Sequence, residues 1–229
     1  GFSQKKGAES DKILIEYVSS NPTGPLHVGH GRGAAFGSVL SSILRATGND
    51  VDEEYYINDQ GRQIEILSLS VWLRYLMIFN QINLFPSNCY QGTYIVELAE
   101  ELKRDYGEKF SITKEIEDQI SQMLQLDMEE EALDGLISQS RKALNESFDE
   151  IKSFVLNRIL KNIEGDLKDF GVKHNSWFKE STMFRADKDK TPLINKALDS
   201  LEAKKQLYEK DGALWFKSTD FGDEKDRVV

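Results

Sequence analysis

The sequence predicts an α/β fold: a parallel sheet that is incomplete within these 229 residues and carries a large, mainly helical insertion. Two observations predict it. Residues 12–57 follow the order strand, loop, helix, strand, which is the order of a βαβ unit and its parallel sheet. A long charged stretch after them repeats apolar residues at three- and four-residue steps, which is the period of a helix.

The βαβ unit comes first. Residues 12–18, KILIEYV, are apolar and partly β-branched between polar neighbours, which predicts a buried strand. A loop with two prolines and two glycines follows at 19–29. A helix is predicted at 30–47, ended by Gly48, and a second strand at 51–57 completes a right-handed crossover. The predicted apolar face of this helix comprises Ala35, Val39, Ile43, Leu44 and Ala46.

The rest of the chain predicts helices and a late hairpin. A turn at 58–61 leads into an apolar helix at 64–79, and a mainly helical stretch runs from 94 to about 169. Residues 207–216 form two short runs around Asp211-Gly212, a tight hairpin turn. Two parallel strands and one hairpin do not complete a helix-covered sheet, so its remaining strands are expected outside these residues.

Composition bounds the function. The net charge is −10, with 39% hydrophobic and 30% charged residues, as in ordinary soluble globular proteins. No apolar run approaches the ~20 residues that span a bilayer, and the first ten residues lack the apolar core of a signal peptide. The single cysteine, Cys89, predicts a reducing, cytoplasmic compartment and no protein-bound structural metal. The acidity disfavours nucleic acid as a partner, although lysines gather at 152–173 and 188–205.

The most informative segment holds two of the three histidines of the chain. Histidines and exposed backbone N–H groups at the start of a helix suit an anion, and phosphate is the anion that such turns commonly bind. We call this segment the signature region; it comprises Ser20, Asn21, Pro22, Thr23, Gly24, Pro25, Leu26, His27, Val28, Gly29 and His30.

Three phosphate-binding patterns compete in this region. A P-loop needs Lys and then Ser or Thr where His30 and Gly31 stand, so we reject it. A dinucleotide fingerprint fits the letters at 29–34, but it needs its first glycine at the strand end, and a long loop separates Val18 from that glycine. The H-x-G-H pattern at 27–30 fits strand, loop and helix together. Its glycine lets the backbone lie against an adenine ring, while both imidazoles donate to phosphate oxygens during attack on the α-phosphate.

Longer runs resemble a known family. ILIEYVSSNPTGPLHVGHGRGAAFGSVLSSILRATG at 13–48 and EEYYINDQGRQI at 53–64 resemble the start of the catalytic domain of class I aminoacyl-tRNA synthetases, and more narrowly of arginyl-tRNA synthetase. YQGTYIVELAEEL at 90–102, DLKDFGVKHNSWFKES at 166–181 and LYEKDGALWFKSTDFGDEKDRVV at 207–229 extend the resemblance over nearly the whole chain.

The resemblance implies a Rossmann-like (HUP-type) domain that ligates arginine to tRNA(Arg). The arginine carboxylate attacks the α-phosphate of ATP, whose Mg²⁺ comes with the nucleotide, and the products are arginyl-adenylate and pyrophosphate. The tRNA then takes the arginyl group and AMP leaves. The resemblance also implies three segments and a monomer: the first half of the nucleotide-binding catalytic domain at 1–80, a helical insertion for the tRNA acceptor end at 81–205, and a return toward the second half at 206–229.

The resemblance also assigns site residues. The catalytic residues would be His27 and His30, joined by Gly29 and Gly31 in binding ATP. Glu16, in a run that looks buried, would bind the arginine guanidinium, because a planar guanidinium suits two carboxylate oxygens. The alternative for Glu16 is an exposed acid on an edge strand. The remaining arginine-binding residues would be Ser19, Asn21 and Gln63, for which Ser and Asn in plain turns are the alternative.

A possible further site follows the second strand, because ligands of open α/β sheets bind at the carboxyl ends of strands. Its residues are Asn58, Asp59 and Gly61, for which a plain turn and helix cap is nearly as good an interpretation. Trp72 is predicted as core, and His174 as a surface residue at a helix end.

Two other functions stay open at this point. One is another nucleotidyltransferase with H-x-G-H chemistry, which has little room for a long helical insertion. The other is a non-catalytic tRNA-binding fragment, which the acidic balance disfavours. Because the second half of the site is expected elsewhere, the isolated 229-residue chain is expected to be inactive in aminoacylation.

Overall fold

The computed structural model describes residues 10–125, 130–186 and 191–229. The lysine-rich stretch at 188–205 therefore lies partly outside the described residues. The chain divides into two compact units, residues 1–178 and 179–229, which are described separately. Within the described residues, no helix is long and apolar enough to cross a bilayer.

The first unit contains the predicted parallel pair. Strand β1 (Lys12–Glu16) runs parallel to β2 (Asp50–Ile57), with Lys12 opposite Asp50 and Glu16 opposite Glu54. Helix α1 (Val28–Ala46) makes the connection, as a parallel pair requires. A strand that the sequence did not predict, β3 (Ser176–Lys179), lies on the far side of β2, so β1 is an edge of the described sheet.

Strand β1 is not the buried strand that its run of apolar residues predicted. Its residues alternate between exposed and half-buried, and Leu14 is 60% exposed. The alternation arises because successive strand residues point to opposite faces and only one face of β1 is covered. Glu16 shares the uncovered face with Leu14 and is exposed, which corrects the expectation that it is buried.

Helix α1 packs through its smallest residues, so the predicted apolar face is wrong. Its buried positions are Ala34, Gly37 and Ser41. A Cβ atom on Gly37 would lie closer than 3.0 Å to Cγ of Tyr17, so the helix approaches β1 too closely for a larger side chain there. Most of the larger apolar residues of the helix are exposed instead, and only Leu44 of the predicted face is half-buried. The exposed ones are Val28, Phe36, Val39, Leu40 and Ile43.

Between residues 62 and 169, the described residues form five helices built around α2. These are α2 (Arg62–Ile78), α3 (Thr93–Tyr106), α4 (Lys114–Leu124), α5 (Glu130–Leu144) and α6 (Glu146–Asp169). Helix α2 contacts α3, α5 and α6, and most of its residues are buried, as expected of a helix with neighbours on every side. Trp72 is fully buried in it, as predicted, and donates from Nε1 to the Phe110 carbonyl at 3.0 Å.

The second unit contains the predicted hairpin. Helix α7 (Leu193–Ala203) precedes β4 (Leu207–Lys210) and β5 (Ala213–Phe216), which pair antiparallel. Asp211 and Gly212 both have positive φ, 53° and 76°, as a tight two-residue hairpin turn requires. Strand β6 (Arg227–Val228) extends this sheet beyond β5 and was not predicted.

Two glycines of α1 give a matched test of its close packing. Gly37→Ala places a methyl group against the Tyr17 ring, and we expect it to lower the free energy of unfolding by about 1–3 kcal/mol. Gly33→Ala lies on the same helix with no atom within 4 Å of the new Cβ, and we expect a gain of up to about 1 kcal/mol. Urea unfolding measures both changes. Equal effects would contradict the close approach of α1 to β1.

Candidate active site

The two signature histidines form the start of α1. His27 is the N-cap residue, and His30 is the third residue of the helix. The Gly29 N–H donates to Nδ1 of His27 at 3.1 Å, and the His27 N–H donates to Nδ1 of His30 at 3.2 Å. This is a reciprocal capping box made by two imidazoles, whose rings stack with centroids 3.8 Å apart.

The capping bonds determine which nitrogen of each ring carries the proton. An Nδ1 atom that accepts a backbone N–H must be unprotonated, so the neutral rings of His27 and His30 carry their protons on Nε2. Partial burial and the neighbouring His27 lower the pKa of His30, which favours the neutral ring near pH 7. The start of α1 therefore offers two Nε2–H donors beside its N-terminal N–H groups.

Gly29 has a local reason to be glycine besides the predicted contact with adenine. A Cβ atom at this position would lie 3.0 Å from Cε1 and 3.1 Å from Nδ1 of His27. These distances are tighter than nearly all real Cβ contacts, so a side chain would displace the capping ring.

The chain turns sharply after β1. Val18 and Ser19 both have positive φ, 67° and 37°, which is uncommon for residues with a Cβ atom and strained for a β-branched valine. Oγ of Ser19 accepts the Tyr56 N–H at 3.0 Å, which ties this turn to β2. The predicted arginine-binding residue Ser19 is therefore also a structural link between the two strands.

The structure brings two predicted site residues together. Nδ2 of Asn21 donates to Oε1 of Gln63 at 3.2 Å across the edge where β1 and β2 end. Gln63 lies in the first turn of α2, whose N-cap Gly61 has a φ of 87° that glycine adopts readily. Asp59, in the turn after β2, is only 7% exposed. The predicted residues thus gather at the carboxyl ends of the parallel strands.

A buried carboxylate that the sequence did not single out lies beneath these residues. Glu53 is 7% exposed and accepts the Tyr17 hydroxyl at 2.8 Å on Oε1 and the Arg45 guanidinium on Oε2. Burial opposes its ionisation, but donation from Arg45 and Tyr17 holds the pKa of Glu53 below its ordinary value. Burial and the bond to Glu53 raise the pKa of Tyr17.

His174 is half-buried in an aromatic cluster, which corrects its interpretation as a surface residue. Its ring lies 4.3 Å from Tyr17 and meets Tyr55 and Trp177 edge-on. Nε2 of His174 lies 3.2 Å from the Tyr17 carbonyl, which requires an Nε2–H donor, and the buried Nδ1 has no partner. Burial lowers the pKa of His174, since a proton on Nδ1 would be desolvated and unpaired. The sequence carries no local signal for this contact because 157 residues separate the partners.

The described residues were also compared with the requirements of a metal site and of a reactive thiol. Among residues 10–125, 130–186 and 191–229, no group of three or more His, Cys, Asp or Glu side chains is arranged to hold a metal ion. Burial raises the pKa of the Cys89 thiol to about 11, so Cys89 is protonated near pH 7.

His174 predicts a pH dependence of stability. The unfolded chain binds a proton on this ring near its ordinary pKa of 6.5, whereas the folded chain binds it at lower pH. Stability from the neutral ring is therefore full above pH 6.5 and is lost as the pH falls toward the lower, folded-state pKa. The variant His174→Gln keeps a donor for the Tyr17 carbonyl but has no imidazole to titrate. We expect its free energy of unfolding to fall less than that of the wild type when the pH is lowered from about 7.5 to about 5.5. Equal losses in urea titrations at the two pH values would contradict it. The contribution of His30 to this pH dependence is the same in both proteins, so it cancels in the comparison.

Comparison with known proteins agrees with the geometry. The family model described as "tRNA synthetases class I (R), catalytic domain" matches residues 1–229. The arginine–tRNA ligase of Nitrosomonas eutropha is 46% identical over all of this chain and 39% of its own length. That of Acinetobacter baumannii is 42% identical over all of this chain and 40% of its own length. The chain thus spans about two fifths of these curated relatives.

A solved structure shares the fold. The match is a Campylobacter jejuni protein, provisionally named an arginyl-tRNA synthetase, with a TM-score of 0.73 and 31% identity. The alignment covers 99% of this chain and 42% of that one. It confirms the predicted α/β, Rossmann-like architecture with its parallel sheet. This chain belongs to the class I arginyl-tRNA synthetase family, and all of its residues match the model of that family's catalytic domain.

Proposed function

We propose that the polypeptide containing this chain joins arginine to tRNA(Arg) through arginyl-adenylate, using ATP and releasing AMP and pyrophosphate. The observation that carries the proposal is the pair of capped histidines: His27 and His30 present two Nε2–H donors at the start of a nineteen-residue helix. Membership of the arginyl-tRNA synthetase family supports the choice of substrates.

The donors suit attack on the α-phosphate. A carboxylate oxygen of arginine forms the new bond to phosphorus, the bond to pyrophosphate breaks, and negative charge grows on the phosphate oxygens. Neutral imidazoles at His27 and His30 can donate to those oxygens without losing a proton, while the N-terminal N–H groups of α1 add their partial positive charge. No nucleophilic side chain is needed, so binding and orientation supply the catalysis.

Glu16 is proposed to bind the arginine guanidinium. Its exposure, which contradicted the sequence-based expectation, suits a group that a ligand covers. The two oxygens of a carboxylate at the sheet edge can accept two parallel N–H bonds from a guanidinium. The linked amides of Asn21 and Gln63 lie beyond the end of β1, where the ammonium and carboxylate of the same arginine would bind. Asn58 and Asp59 follow β2 at the same edge and are proposed as further contacts.

ATP is proposed to bind along the start of α1, at His27, Gly29, His30 and Gly31. All four residues are exposed or half-buried and therefore accessible to a nucleotide. Mg²⁺ is proposed to arrive with the nucleotide phosphates.

Larger-scale assignments follow from the same proposal. We assign residues 1–80 to the first half of the nucleotide-binding domain, 81–205 to the insertion that holds the tRNA acceptor end, and 206–229 to the return toward the second half. A monomer in the cytoplasm is proposed as the working form.

The direct test is arginine-dependent exchange of pyrophosphate into ATP. The complete polypeptide, purified and assayed with and without tRNA(Arg), is expected to exchange with arginine and not with lysine or other amino acids. Exchange supported by another amino acid would contradict the arginine assignment, and exchange that requires an acceptor other than an amino acid would favour another H-x-G-H nucleotidyltransferase. Binding of tRNA with no exchange under any condition would favour a non-catalytic tRNA-binding protein.

His30 gives a sharper prediction. His30→Ala removes one donor, and we expect turnover in exchange to fall by roughly 100-fold or more while the KM for arginine changes by less than about threefold.

A matched variant separates the helix-capping bond of His30 from its proposed donation to phosphate. In His30→Asn, a side-chain oxygen can still accept the His27 N–H, but no donor reaches the Nε2 position. We expect it to unfold like the wild type and to be as inactive as His30→Ala. Recovery of turnover in His30→Asn would show that His30 acts only as a helix cap.

A further inference from the structure

Two tyrosine hydroxyls hold the segment at 20–24, which we call the signature loop. One hydroxyl comes from β2 and the other from α3, so two different elements anchor the loop. Among described residues 19–24, the backbone N–H groups make only local backbone hydrogen bonds. The Ser19 N–H donates to the Tyr17 carbonyl, and the Thr23 N–H donates to the Asn21 carbonyl. The two tyrosine hydroxyls therefore connect the loop to residues distant in the sequence, which its own backbone N–H groups do not do.

The first anchor is Tyr55 on β2. Its side chain is fully buried, its ring stacks on Trp177 with centroids 4.5 Å apart, and its hydroxyl donates to the Ser20 carbonyl at 3.0 Å. The same oxygen lies 2.8 Å from Oγ of Ser20, which can donate to it. Burial raises the pKa of Tyr55, so the hydroxyl keeps the proton that it donates.

The second anchor is Tyr94 in the first turn of α3. Its hydroxyl donates to the Thr23 carbonyl at 2.7 Å, although 71 residues separate the two. Burial raises the pKa of Tyr94 to about 12, which keeps this hydroxyl protonated. The position of α3 is itself fixed, because Arg158 of α6 pairs with Glu101 and Asp105.

Two glycines form the slot that holds the Tyr94 ring. A Cβ atom on Gly24 of the loop would lie 3.1 Å from the Tyr94 hydroxyl oxygen. A Cβ atom on Gly92 would lie closer than 3.0 Å to the ring. The ring therefore occupies space that side chains at positions 24 and 92 would need.

The two anchored carbonyls, of Ser20 and Thr23, flank Asn21 and buried Pro22. We propose that Tyr55 and Tyr94 are positioning residues of the amino-acid activation site: they hold this peptide so that Asn21 faces Gln63 and the chain enters the His27 cap in the required direction. This inference rests on the proposed function. Both hydroxyls donate to carbonyls of the loop, so their effect on the reaction passes through the loop.

A third tyrosine provides the matched control. Tyr75 on α2 is buried, and its hydroxyl donates to the Gly107 carbonyl at 2.7 Å, the same distance as in the Tyr94 bond. Tyr94→Phe removes a hydroxyl from a half-buried tyrosine and Tyr75→Phe removes one from a fully buried tyrosine, and each hydroxyl donates to a backbone carbonyl. The Tyr75 hydroxyl also accepts the Phe110 N–H at 3.2 Å, so Tyr75→Phe is the more disruptive of the two to local packing and a stringent control. Of these two tyrosines, only Tyr94 holds the signature loop.

The first measurement is the kinetics of arginine-dependent exchange by the complete polypeptide. We expect Tyr94→Phe to lower turnover by roughly 10- to 100-fold and to raise the KM for arginine by roughly three- to tenfold, because misplacement of a binding loop by about 1 Å is enough for such losses. Tyr75→Phe should keep both constants within about twofold. A purely structural role would lower the active fraction and leave KM unchanged.

The second measurement does not depend on catalysis. Proton–carbon NMR signals of His27 and His30, assigned with His→Asn variants, report the geometry of the stacked pair directly. We expect Tyr94→Phe to shift both signals and leave that of His174 in place, and Tyr75→Phe to shift neither. Gly24→Ala, which keeps the hydroxyl but crowds the Tyr94 ring, should reproduce the shift.

The outcomes separate the two proposals. If the wild type shows no arginine-dependent exchange, the proposed function fails, while the histidine signals still decide whether Tyr94 positions the loop. If the wild type exchanges and Tyr94→Phe matches Tyr75→Phe in both KM and histidine signals, the positioning role is overturned. A raised KM together with shifted signals in Tyr94→Phe alone supports it.

Discussion

The buried carboxylate of Glu53 is the constraint on which the first unit depends. An ionised carboxylate that is 7% exposed is costly to bury unless charged and polar donors surround it. Its side-chain donors come from different elements: Tyr17 follows β1, and Arg45 belongs to α1. Its backbone N–H donates to the Asn175 side chain beyond α6 at 2.6 Å. One ionised side chain on β2 therefore connects the end of β1 with α1, the helix that carries the signature histidines.

This arrangement explains why α1 packs with small residues. Tyr17 can reach Glu53 only if its ring lies under the helix, and Gly37 leaves the space for that ring. The bond from Arg45 to the Val51 carbonyl, 2.9 Å, fixes the other end of the helix on β2. With its axis held at two points, the direction in which α1 presents His27 is set by polar bonds and close contact. Most of its larger apolar residues contribute little, because they are exposed.

The sequence predicted the elements better than their packing. Apolar period and turn residues were enough for β1, α1, β2 and the hairpin, because these signals are local. The face of α1 was wrong, because a count of large apolar residues does not detect a helix that packs through glycine and serine. The signature histidines were found because they are contiguous in a motif. The roles of Glu53, Tyr94 and His174 were missed because their partners lie 36, 71 and 157 residues away in the sequence. Within a strand or helix, the sequence around such a Glu or Tyr does not differ from that around an exposed one.

The spacing of the signature histidines follows from the geometry of a helix start. A reciprocal capping box joins the N-cap residue to the third helical residue, which is the separation of His27 and His30. Each ring accepts a backbone N–H on Nδ1, so each must carry its proton on Nε2, the nitrogen farther from the backbone. Gly29 between them keeps the first ring in place. The bonds that begin the helix are therefore the bonds that prepare both donors. Serine or aspartate in these positions would cap α1 equally well, but neither would leave an N–H group projecting beyond the cap toward a phosphate.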